Sequence, residues 1–255
     1  MNDRGGRGKA KPFALPSGRR VFSKGAMRPL LALLCLTLGL AAAEPAPLGP
    51  VVQALEVKWP KNRTMHIVCH GHSVPAGYFV TPIVQSNQAY PAGLQAGLRE
   101  RFPNAVLNVI VTAIGGEASD RGAARFERDV LALRPAVVTI DYSLNDRRLG
   151  LEKAKANWSA MIVAAKTAGI KVILLTPTPD QSAKIDDPQD PLNLHAEQVR
   201  ALAKEHDVLL VDSLALFKAK VAAGTPLKDL MSQVNHPNAA GHALVTAALL
   251  DLFRK

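Results

Sequence analysis

The chain has 255 residues, 48% hydrophobic and 20% charged, with 18 glycines and 18 prolines, a composition that excludes collagen-like repeats and wholesale disorder. Its formal charge of +10 is concentrated at the start: residues 1–43 hold eight Lys/Arg against one acid, Asp3, leaving +3 on the rest. So small a charge, with 5% aromatic residues and no Lys/Arg stripe, argues against a nucleic-acid binder.

The basic front has the pattern of an export signal. "MRPLLALLCLTLGLAAAEP" offers a positive start, an apolar stretch from Leu30 to Leu40 and the small residues Ala41, Ala42 and Ala43, so cleavage is expected after Ala43. The stretch is short of the ~20 residues that a bilayer span needs. "RRVFSK" at 19–24 resembles a twin-arginine signal, while Met27 suits the start of a plain secretory one; both routes stay open. Bulky Leu34 before Cys35 does not fit a lipoprotein signal. With the signal removed, Cys69 is the one remaining cysteine, so no intramolecular disulfide can form and an exported domain must rely on its core.

Residues 44–62 are Pro-rich and read as a leader, and 63–255 as one domain. There, "TMHIVCHG" (64–71), "AVLNVIVTAI" (105–114), "AVVTIDYS" (136–143), "IKVILLTPT" (170–178) and "DVLLVDS" (207–213) are short, β-branched and nearly continuously apolar. Parallel strands buried on both faces look like this. Helical periodicity occupies 86–101, 118–133, 152–168, 191–205 and 238–253. The alternation predicts a single-domain three-layer α/β/α sandwich around a five-stranded parallel sheet.

In such sheets ligands sit beyond the carboxyl ends of the strands. The segments there are "CHGHSVPAG" with Ser73, "GGE" with Gly116, "SLND" with Asn145, "TPTPD" with Asp180, and "SQVNHPNAAGH" with His236. Each residue alone has a bland role: Ser73 as a helix N-cap, Gly115 and Gly116 as a turn, Asn145 as a cap, His236 as a loop residue. Together they supply an alcohol, an imidazole base and amide donors for an oxyanion, the parts that acyl transfer needs.

The order Ser, Gly, Asn, His resembles the SGNH (GDSL-type) hydrolase superfamily of esterases, lipases and carbohydrate deacetylases. "HGHSVPAG", "IGGEAS", "SLND" and "NHPNAAGH" are similar to its four blocks, and the resemblance spans nearly all of 64–253. It implies an SGNH/flavodoxin-like fold, Ser73 as nucleophile, His236 as base, and an oxyanion hole made by Ser73, Gly116 and Asn145. It also implies a serine esterase of acetylesterase or carbohydrate-esterase type, without cofactor or metal, and the export signal adds that it is secreted, periplasmic or extracellular. Its expected substrates are small-molecule or polysaccharide esters; the charge distribution adds the expectation of no nucleic-acid partner, and the short signal stretch that of no membrane span in the mature chain. Three positions depart from the family pattern. His72 stands where the family has aspartate beside the serine, and Ser143 where it has glycine. Gln233 occupies the place of the triad acid, three residues before the histidine. The expectation is a Ser73–His236 dyad with neutral support, from the Gln233 side chain or from a backbone carbonyl; Asp229 and Asn235 lack the family spacing.

Two other readings compete. A catalytically weak or inactive carbohydrate- or acyl-binding module would keep the cleft without turnover. A metallohydrolase would use His66, His70, His72, His236 and His242, although no carboxylate follows at a recognised ligand spacing. On the sequence, His242 is expected to pack on the last helix, and His195 and His206 to be solvated at helix ends. Tyr78, Phe79 and Tyr90 suit either the cleft or the core.

Overall fold

A computed structural model describes residues 48–254, so the expected export signal lies outside the described residues. In chain order the elements begin with α1 (Gly49–Glu56), β1 (Thr64–Gly71), α2 (Ser73–Ala76), α3 (Tyr90–Arg101) and β2 (Val106–Val111). Then come α4 (Ser119–Ala124), α5 (Phe126–Asp129), β3 (Val137–Asp141), α6 (Ser143–Asp146), α7 (Leu151–Thr167) and β4 (Lys171–Leu175). The chain ends with α8 (Pro191–Glu205), β5 (Leu209–Val211), α9 (Ser213–Ala222), β6 (Met231–Gln233), β7 (His236–Pro237) and α10 (Ala239–Asp251).

Strands β1 to β5 form one parallel sheet in the order β2-β1-β3-β4-β5, with β1 in register from Thr64 opposite Val106 to Cys69 opposite Val111. Successive side chains alternate between two apolar layers, as the period of two requires. Ile67, Cys69, Val137, Ile173 and Leu175 face a layer built by α1, α3, α9 and α10, where Leu94, Leu98, Phe217, Val245 and Leu249 are buried. Val68, Val138, Ile140, Val172 and Leu174 face the other layer, with Phe126, Trp158, Met161 and Ile162. Helix α8 feeds both, through Leu192 and Ala196 on one side and Val199 and Leu202 on the other. The strand order is the flavodoxin-like one, which puts a topological switch beside β1. The fold is the expected three-layer sandwich.

Several boundaries differ from the expectation. The proposed leader is part of the fold: proline near its start favours α1, and Leu48, Val51, Val52 and Leu55 join the core. The helix expected over 118–133 breaks at Arg125 (φ −109°, ψ 5°), whose guanidinium turns inward. Helix α9 lacks a clean apolar stripe and was not expected; Asp212 caps it by accepting from the Ala215 N–H, and Phe217 anchors it. The strand expected to reach 114 ends at Val111, yet the Thr112 and Ile114 N–H groups still donate to the Cys69 and Gly71 carbonyls. Burial pushes the Cys69 thiol up to about 12, so it packs as a hydrophobe. Among the described residues no helix is long and apolar enough to cross a membrane.

Candidate active site

The turn after β1 carries Ser73. The N-cap of α2 is His72, whose Nδ1 accepts from the Val74 N–H at 3.3 Å, so Ser73 is the first helical residue rather than the cap. Its Oγ is thereby released for another partner. That partner is His236 Nε2, 2.9 Å away across 163 positions of sequence, with Ser73 6% and His236 5% exposed.

His236 lies in β7, paired antiparallel with β6, just before Asn238 caps α10 by accepting from the Gly241 N–H. Its Nδ1 is 3.0 Å from the Phe79 carbonyl oxygen. A carbonyl only accepts, so Nδ1 carries the proton and Nε2 presents its lone pair to the Ser73 hydroxyl. The tautomer is the one a general base requires. Burial, with the neighbouring His72, holds the His236 pKa below its ordinary 6.5, against an upward push from the Phe79 carbonyl.

The Gln233 side chain does not meet His236. Its Oε1 accepts from the Thr81 N–H at 3.0 Å, and its Nε2 donates to Thr81 Oγ1 and Asn235 Oδ1. Gln233 is the ladder partner of His236 in the irregular β6–β7 pairing, yet its side chain is spent on Thr81 and Asn235 rather than on the imidazole. Instead it clamps the 78–84 segment, which doubles back through the Phe79 N–H to Ile83 carbonyl bond and supplies the orienting carbonyl. Phe79 was invisible to motif reasoning, because its contribution is a backbone atom. Asp229 is exposed on a short 3-10 turn, and its backbone carbonyl accepts from Asn238 Nδ2.

Gly116 and Asn145 lie after β2 and β3, at the same end of the sheet as Ser73. Gly116 has φ +78°, a conformation that suits glycine, and its N–H donates to no described residue; the same holds for the Ser73 N–H. Asn145 Nδ2 donates to the Glu117 carbonyl at 2.7 Å, which uses one of its two hydrogens. Arg148 Nη2 donates to the Gly116 carbonyl, and Arg125 holds the Glu117 carboxylate at 2.7 Å. Arg125 also donates to Thr112 O, Asp129 and Tyr142 Oη, so the loop bearing Gly116 is tied down by a buried cation. Behind Asn145, the buried Asp146 accepts from the Ser119 N–H and Trp158 Nε1, both at 2.7 Å. The Tyr78 ring crosses Gly115 so closely that a Cβ there would lie 2.6 Å from it, and it stands 5.9 Å from the His236 ring.

The remaining histidines have separate partners. His66 Nδ1 pairs with the Leu133 carbonyl at the opposite end of the sheet. His70 pairs with Thr112 Oγ1 and the Gly122 carbonyl, and burial pushes its pKa down to about 4. His242 accepts from the Tyr90 N–H inside the core, where Tyr90 is also buried. His195, expected to be solvated, is 3% exposed, and burial with Arg147 pushes it down to about 4. His206 meets Ser159 Oγ at 3.2 Å. No group of three or more His, Cys, Asp or Glu with metal-binding placement occurs among the described residues.

A parallel three-layer sandwich that joins a strand-exit serine to a histidine on a short hairpin strand and to unpaired backbone donors has the site of the serine acyl hydrolases. The sequence pattern of the GDSL-like Lipase/Acylhydrolase family matches residues 69–244, and the chain belongs to that family; it is a carboxylic ester hydrolase. An acetylxylan esterase of Geobacillus stearothermophilus is 26% identical over 174 residues, covering 64% of this chain and 78% of that protein. A catalytic mutant of the Geobacillus stearothermophilus acetylxylan esterase Axe2 superposes with a TM-score of 0.65 at 21% identity, over 78% of this chain and 97% of that one. LAE5, an alpha/beta hydrolase enzyme from the metagenome of Lake Arreo, Spain, matches with a TM-score of 0.65 at 24% identity, over 74% and 94% of the two chains.

Proposed function

We propose that this protein is an exported serine esterase that removes short acyl groups, acetyl above all, from carbohydrate esters. One observation carries the reading: Ser73 Oγ lies 2.9 Å from an imidazole nitrogen whose tautomer is fixed by the Phe79 carbonyl on the other side of the ring. In the first half-reaction Ser73 Oγ attacks the ester carbonyl carbon as its proton passes to His236 Nε2. The negative oxygen that develops is met by the Ser73 and Gly116 N–H groups and the second hydrogen of Asn145 Nδ2. Collapse of the tetrahedral adduct breaks the bond to the alcohol, which leaves with the proton from His236. Water, deprotonated by His236, then releases the carboxylic acid and restores Ser73.

A neutral support for the base is compatible with turnover. The large loss seen when a triad acid becomes an amide arises mostly from the wrong tautomer. Here a carbonyl supplies the correct one. The Tyr78 ring lies against Gly115, next to Gly116, and 5.9 Å from the His236 ring, a narrowing that suits a small acyl group. The carbohydrate reading draws on the acetylxylan esterase likeness. Residues 1–43 act as the signal on this reading, and the mature domain starts before α1 rather than after residue 62. Acetate release from acetylated xylan, with aryl esters of increasing chain length beside it, tests the proposal. Ser73→Ala should abolish both acetate release and covalent labelling by a fluorophosphonate; unchanged hydrolysis by that variant refutes it.

A further inference from the structure

Ser73 has a second imidazole beside it. His72 Nδ1 lies 3.4 Å from Ser73 Oγ, on a ring that is fully buried. Because Nδ1 accepts from the Val74 N–H, the His72 proton belongs on Nε2. That nitrogen faces Asp141 Oδ1 at 3.3 Å, where both side chains are almost wholly excluded from water. The contact is within ion-pair distance but is not aligned as a hydrogen bond, and neither atom has a hydrogen-bond partner among the described residues. The other carboxylate oxygen of Asp141 accepts from Tyr90 Oη at 3.4 Å, and the His72 N–H donates to the Asp141 carbonyl at 3.2 Å. Asp141 ends β3, so the nucleophile turn is tied to the neighbouring strand through both backbone and side chain.

Two serine–imidazole–acceptor lines therefore meet at one hydroxyl. In one, Ser73 faces His236 and then a neutral carbonyl; in the other, Ser73 faces His72 and then a carboxylate. A buried carboxylate with so few donors is costly, and a fold keeps such a group where its partner needs it. We propose that His72 and Asp141 are a positioning pair for Ser73. Asp141 holds the His72 ring by charge and by its backbone carbonyl, and His72 Nδ1, whose one lone pair is shared with the Val74 N–H, gives the Ser73 hydroxyl a second polar contact that keeps Oγ on line with His236. Before the attack the single Ser73 hydrogen points to His236 Nε2, and the His72 ring on the other side of Oγ limits its rotation. The hydroxyl is thereby held in one rotamer until its proton moves to His236. This inference rests on Ser73 being the nucleophile.

The test uses His72→Asn and the double variant His72→Asn/Asp141→Asn. Asn at position 72 can still cap Val74, and the second change removes the carboxylate that would otherwise be stranded. Both variants should keep KM for p-nitrophenyl acetate while kcat and the rate of fluorophosphonate labelling at Ser73 fall about 10- to 100-fold, the range for a misplaced reacting group. Asp141→Asn alone should lower kcat similarly, and the two losses should not add, since the residues act as one unit. A folded double variant that keeps parental kcat and labelling rate overturns the proposal, as do additive single effects. Failure of the parent itself to label at Ser73 would instead sink the assignment of the nucleophile, so the two failures are distinct.

Discussion

Gln233 stands in the acid position of its family yet turns away from the histidine, and its replacement tests how the base is held. Gln233→Ala removes the acceptor for the Thr81 N–H at 3.0 Å and the donor to Thr81 Oγ1 at 3.3 Å. Both bonds are exposed, so each is worth about 0.5–1 kcal/mol, the low end of the usual range. Together they hold the 78–84 segment with about 1–2 kcal/mol, which, if spent wholly on orienting the Phe79 carbonyl, converts to about a 5- to 30-fold loss in kcat. The expected loss of melting temperature is about 2–8 °C for a domain of this size. Hydrolysis of p-nitrophenyl acetate, with thermal unfolding followed in parallel, measures both. Gln233→Asp should behave like the alanine variant, because the shorter side chain cannot keep Thr81 while Nδ1 of His236 is already satisfied. A kcat within about twofold of the parent for Gln233→Ala refutes the clamp, as a loss of transition-state support must appear in kcat. A rise above the parent in Gln233→Asp would mean that His236 leaves Phe79 for a carboxylate.

Burial and His72 lower the His236 pKa, so the base stays unprotonated further into acid than a free imidazole; the acid limb of kcat/KM against pH should have its midpoint below 6.5, and a midpoint at or above that value contradicts it. Asn145→Ala removes an oxyanion donor as well as the tie to Glu117, and kcat should fall about 10²- to 10³-fold, near 2.7–4 kcal/mol, with little change in KM; steady-state kinetics on the same ester checks this. Arg125→Ala strands the buried Glu117 carboxylate and should cost about 3–5 kcal/mol of stability, read by urea unfolding; a loss under about 1 kcal/mol would show that the network is not held by that cation.

Residue order alone gave much of this architecture. The run "IKVILLTPT" is apolar on both alternating sets of side chains, Val172 and Leu174 on one and Ile173 and Leu175 on the other, which a sheet covered on two faces can bury, so the parallel sandwich was legible. Strand exits are where such sheets bind ligands, and this made Ser73, Gly116, Asn145 and His236 legible as a set. Helix α1 and helix α9 were missed because their stability comes from docking on other elements, through Leu55 and Phe217, rather than from their own pattern.

What tertiary structure decided is who touches whom. Sequence spacing offered Gln233 to His236, and the two are ladder partners, but the 78–84 segment folds against them, so Thr81 takes the Gln233 side chain and the Phe79 carbonyl takes the imidazole. In the sequence His72 is a departure from the family pattern beside the serine, and Asp141 is one position of an apolar strand. Their meeting arises because β1 and β3 are neighbours in the sheet, with Gly71 opposite Asp141. Spacing along a chain fixes the face on which a side chain emerges; contacts between elements far apart in sequence depend on strand order and register, which form only when the chain is folded.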